Sequence, residues 1–98
     1  MYEETKGAVR KAFEIGKVLF SMGGQRYNKL LKAVSKIKPP VKEDLSKYLI
    51  DGMILEDALI AEMRERYKSA ALSAGFTEQQ GIAMLEYAAM LEELKDDE

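Results

Sequence analysis

Apolar residues recur every three or four positions along most of this chain, and no stretch alternates every second residue. The first spacing lines one face of a helix, and the second would line one face of a strand. The sequence therefore predicts an all-α fold. Four interruptions divide the pattern: Gly23-Gly24, Pro39-Pro40, Asp51-Gly52 and Gly75. Glycine lowers helix propensity and favours turns. Proline lacks the N–H that a helix needs and pushes the preceding residue out of helical geometry.

These breaks predict helices over about 3–21, 25–38, 41–50, 53–74 and 78–95, forming a compact bundle of four to five short helices. With 98 residues the chain makes a single domain and one core. In the first helix Val9, Ala12, Phe13, Gly16, Leu19 and Phe20 form the expected core face. In the second that face is Tyr27, Leu30, Leu31, Val34 and Ile37. A third helix starts at or just after Pro40, with Glu43 and Asp44 in the first turn, where the helix dipole favours acids. Asp51-Gly52 is read as a break or kink, in preference to one helix running from 41 to 74. Gly75 suits a helix C′ position, with Phe76 folding back on the last turn. Thr77 and Gln80 have capping-box spacing and open the last helix, whose tail at 95–98 is expected to fray.

Composition removes most catalytic chemistry. There is neither histidine nor cysteine, so Ser–His and Cys–His nucleophiles, disulfides and zinc clusters are out of reach. The Glu-x-x-His pair of di-iron bundles cannot be written. Glu56, Asp57, Glu62 and Glu65 make an acidic cluster, but Arg64, Arg66 and Lys68 interleave with it, which predicts a salt-bridged outer face. Ser35 and Lys38 match Ser-x-x-Lys without its companion motifs. Gly23-Gly24 lacks the pattern of a phosphate loop and reads as a turn. The expectation is therefore no enzyme, no cofactor, no metal site and no small-molecule substrate. The N-terminal residues do not resemble a signal peptide, and no run is apolar enough for a membrane span. A soluble cytoplasmic protein starting at its own Met1, without a membrane partner, is expected.

Charge is divided unevenly. Residues 1–42 carry ten Lys/Arg against three Glu, a balance of +7, and residues 43–98 carry five against fourteen acids, a balance of −9. On a helical wheel Arg26, Lys29, Lys32 and Lys36 oppose the apolar face of the second helix. Lys6, Arg10 and Lys17 cluster on the first. Together these seven make a candidate nucleic-acid face, whose affinity would fall steeply with salt. Against it stand few arginines, little aromatic interleaving and an acidic chain overall. The other candidate for the cations is the acidic half, of the same chain or of a second one.

Apolar residues also exceed what one face can hold. Residues 53–63 and 82–91 are apolar nearly all round, and two such helices are hard to enclose in so small a chain. Met53, Ile54, Leu59, Met63, Met84, Tyr87, Met90 and Leu91 are therefore the candidate partner interface. The leading expectation is a small interaction, regulatory or assembly protein that forms a homo-oligomer, most simply a homodimer, or docks a protein partner. The alternative is a nucleic-acid-binding protein using the basic face of residues 6–36.

Overall fold

The computed structural model describes the backbone of residues 2–96 and, within it, the side chains of residues 9–93. Within the described residues five helices follow in order: α1 (Tyr2–Phe20), α2 (Gly23–Val34), α3 (Lys42–Ile50), α4 (Leu55–Ser73) and α5 (Glu78–Asp96). The all-α bundle expected from the sequence is present. α5 packs along α4 and also meets α1 and α2, whereas α3 packs on α4 alone.

Helix ends follow local chemistry. Gly52 and Gly75 both adopt positive φ, +83° and +88°. Each closes a Schellman motif: Met53 N–H donates to the Tyr48 carbonyl at 3.3 Å, and Phe76 N–H to the Ala71 carbonyl at 2.8 Å. Asp51-Gly52 thus separates two helices. Thr77 and Gln80 form the capping box reciprocally: Gln80 N–H donates to Thr77 Oγ1 at 3.1 Å, and Thr77 N–H to Gln80 Oε1 at 3.0 Å. α2 ends at Val34, four residues before the expected Lys38. Pro39 bars Lys38 from helical geometry and Pro39-Pro40 offer no N–H, so residues 37–41 run without helix. α4 begins at Leu55 rather than 53 because Ile54, in extended geometry, is its N-cap.

The main core joins Ile15, Leu19 and Met22 with Leu30 and Val34 of α2, Ala71 and Phe76, and Ala83 and Met84 of α5. Leu30 and Met84 are its largest fully buried side chains. The α4–α5 seam is held close by Gly81. A Cβ there would stand 2.6 Å from the Tyr67 carbonyl oxygen and 2.8 Å from Ala71 Cβ.

One expectation about the core is corrected. Val9, Phe13 and Phe20, assigned to the core face of α1, are exposed, and the helix packs through Ile15, Val18 and Leu19 instead. α1 carries two apolar stripes about 130° apart, and only one of them meets the bundle. Leu31, assigned to the core face of α2, is exposed as well.

The result is a slab of 39 × 39 × 24 Å. Its radius of gyration is 14.7 Å, against about 12.6 Å for an ordinary domain of this length. Its accessible surface is 7519 Å², where about 5,650 Å² is usual for a folded monomer of this mass.

Candidate functional site

Among the described residues, two apolar faces stand open to solvent. The first lies along α1. Val9, Phe13, Gly16 and Phe20 fall within about 60° of arc, spaced by four, three and four. Phe13 is 66% and Phe20 88% exposed. Beside this stripe, between α1, α2 and α5, opens a cleft of about 450 Å³. Ala12, Gly16, Gly23 and Gly24 give it room, and Ile15, Tyr27, Tyr87 and Met90 supply apolar wall. At Gly16, as at Gly24, φ is ordinary and nothing lies within 4 Å of where a Cβ would stand. Arg10 and Lys17 flank the stripe, and Lys17 Nζ sits 5.4 Å from the centre of the Phe13 ring.

The second face is the α3–α4 corner. Ile50 is 84% exposed at the end of α3, and Ile54 is 62% exposed just before α4. Leu55, Leu59 and Ile60 continue it along α4. Its exposed charges are mostly acidic, Asp51, Glu56 and Asp57; exposed Lys47 of the last α3 turn is paired with Glu62. A helix packed only on α4 leaves its far side uncovered, which is why α3 adds so much apolar surface.

The sequence-derived interface residues divide between these places. Met53, Ile54 and Leu59 are exposed at the corner, and Met63 is half-buried on α4. Tyr87 and Met90 are half-buried in the cleft, and Leu91 is exposed on α5. Met84 is corrected: at 2% exposure it fills the core, because α5 turns that face toward the other helices. Phe13, Phe20 and Ile50 were missed. For the first two, the second 3–4 spacing through Ile15, Val18, Leu19 and Met22 was the available signal.

The basic residues are exposed but differently anchored. The Arg26 guanidinium lies 5.1 Å and Lys29 Nζ 6.0 Å from the ring of Phe76, after α4. Arg10, Lys32 and Lys36 are exposed. The side chain of Lys6 lies outside the described residues. Among the described residues, none of Arg10, Lys17, Arg26, Lys29, Lys32 and Lys36 forms an ion pair. One pair crosses between the basic and acidic halves, Lys11 to Glu86 at 3.9 Å. The other ion pairs among the described residues lie within the acidic half.

The acidic cluster of α4 is largely occupied. Arg66 pairs with Asp44 of α3, bonds Glu62 Oε1 at 3.3 Å and donates through Nη1 to the Lys38 carbonyl at 2.6 Å. Lys47 Nζ reaches Glu62 Oε2, which is closed off from solvent, at 3.3 Å. This network pins the segment after α2 and the whole of α3 to α4. The Val41 N–H, bonded to Asp44 at 2.9 Å, together with Arg66 and Lys47, holds the Asp44 carboxyl below its ordinary pKa despite partial desolvation. Glu62 and then Tyr48 raise that of Lys47. Burial raises that of Tyr67. Among the described residues no group of three or more carboxylates is arranged to hold a metal, and no helix is long and apolar enough to cross a membrane.

Compared with protein-family models, curated proteins and solved structures, the chain matches none.

Proposed function

We propose that this chain is an interaction protein that works by burying its exposed apolar helical faces in an assembly, and that it carries no catalytic chemistry. The observation behind this reading is the surface itself. The chain exposes about 1,900 Å² more than an ordinary folded monomer of its mass. A standard complex removes about 800 Å² from each partner. The largely exposed Phe20 and Ile50 are the kind of anchor that partner surfaces cover.

Sedimentation equilibrium at high micromolar concentration tests this. The expected mass exceeds the 11.1 kDa of one chain and returns to that value in a Phe13→Ser/Phe20→Ser variant with unchanged helix content. A wild-type mass of 11.1 kDa at every concentration contradicts self-association.

A second reading, binding of a polyanion such as nucleic acid, is supported by the exposed cations that form no ion pair among the described residues. Of the α2 cations, Arg26 and Lys29 stand over the ring of Phe76, which is itself buried and unable to stack on a base. A mobility shift with DNA and RNA at low salt, lost in Lys29→Glu/Lys36→Glu, is the outcome this reading requires.

A further inference from the structure

Resting on the self-association reading, we infer that the contact joins unlike faces: the basic apolar stripe of α1 in one copy seats the acidic α3–α4 corner of a second copy. Charge decides which faces meet. The α1 stripe is bordered by Arg10 and Lys17, with the single acid Glu14 at their edge, and the corner by Asp51, Glu56 and Asp57, all exposed. Pairing either face with its own copy sets like charges opposite one another, which is costly at an interface. Pairing one with the other sets cations against acids, and neither Arg10 nor Lys17 has an ion-pair partner within the described residues of its own chain.

Shape agrees with charge. The corner is a knob, because Ile50 and Ile54 stand out at the turn between two helices. The α1 face has a recess along one side, walled by Gly16 and Phe20 of the stripe. Its cleft of about 450 Å³ is in the size range that admits whole small ligands, so it has room for a pair of aliphatic side chains. Glycine at 16 lowers helix stability, and no neighbour in its own chain uses the space over it. A second backbone approaching there would use it. Area agrees as well. A head-to-tail contact engages both faces of every enclosed copy, and two standard contacts of about 800 Å² each account for most of the surplus of about 1,900 Å².

Two charge-reversed full-length chains test the inference. One carries Arg10→Glu/Lys17→Glu, and the other Asp51→Lys/Glu56→Lys. All four positions are exposed, and circular dichroism checks that each variant keeps its helices. Each variant alone is expected to associate at least about tenfold more weakly than the wild type. An equimolar mixture is expected to recover assembly, because every contact between one variant and the other pairs either wild-type or doubly reversed charges. Should both variants assemble alone, or should the mixture stay as weak as its components while the wild type assembles, the unlike-face contact is wrong and self-association stands. A wild type that sediments as a monomer removes both. If Arg10→Glu/Lys17→Glu loses only affinity for a DNA or RNA probe and assembles as before, those cations serve a polyanion and the inference is likewise overturned.

Discussion

Gly81 and Gly16 are both helical glycines without positive φ, and their surroundings are opposite. At Gly81 the neighbouring helix is already there, with the Tyr67 carbonyl oxygen 2.6 Å from the missing Cβ. At Gly16 there is open space to 4 Å, beside a cleft and two exposed phenylalanines. A glycine inside a helix lowers stability by about 1 kcal/mol relative to alanine. At Gly81 the α4–α5 seam returns that stabilisation within the chain. At Gly16 no described neighbour does, and in the proposed assembly a second copy would.

Breaking the closed seam should have the largest effect. Gly81→Val drives a branched side chain into the Tyr67 backbone and should destabilise the fold by about 3 kcal/mol, read by urea denaturation. Next is the polar joint that fastens α3. Arg66→Ala removes the bonds to Asp44, Glu62 and the Lys38 carbonyl, and should cost about 2 kcal/mol. Acid attacks the same joint. Because the folded Asp44 pKa lies below its unfolded value, its contribution is complete above about pH 4 and disappears as pH falls through the folded value. Amide exchange in α3 should accelerate over that range before exchange in α5 does.

The open face should respond with the opposite sign. Gly16→Ala should stabilise the isolated chain by about 0.5–1 kcal/mol, measured at low concentration, and should weaken association. The smallest expected effect on the fold is that of Phe20→Ser, within about 0.5 kcal/mol, because the ring is 88% exposed and contributes little to the core.

Much of the fold was legible in the sequence because its punctuation is chemical. Gly52, Gly75 and the Thr77–Gln80 box each allow few backbone geometries, and each does in the structure what its residue type dictates. The end of α2 was less legible. The influence of Pro39 extends backwards, and the Lys38 carbonyl is held by Arg66, twenty-eight residues away. The faces were hardest to read. Periodicity reports that a helix has apolar stripes, but α1 has two, and sequence spacing cannot say which of them meets the bundle. For the same reason Met84 resembled a surface residue in an apolar run, when α5 buries it among three other helices.

The apolar faces of α1 and the α3–α4 corner are, on this account, surface that assembly removes from water. Mass action makes that directly measurable, because anything that binds the folded state raises its apparent stability with concentration. The deciding measurement is the wild-type Tm across a wide range of protein concentration, with Phe20→Ser as reference. A wild-type Tm that climbs with concentration, over a nearly flat variant, is the predicted result; a flat wild-type Tm would contradict the account.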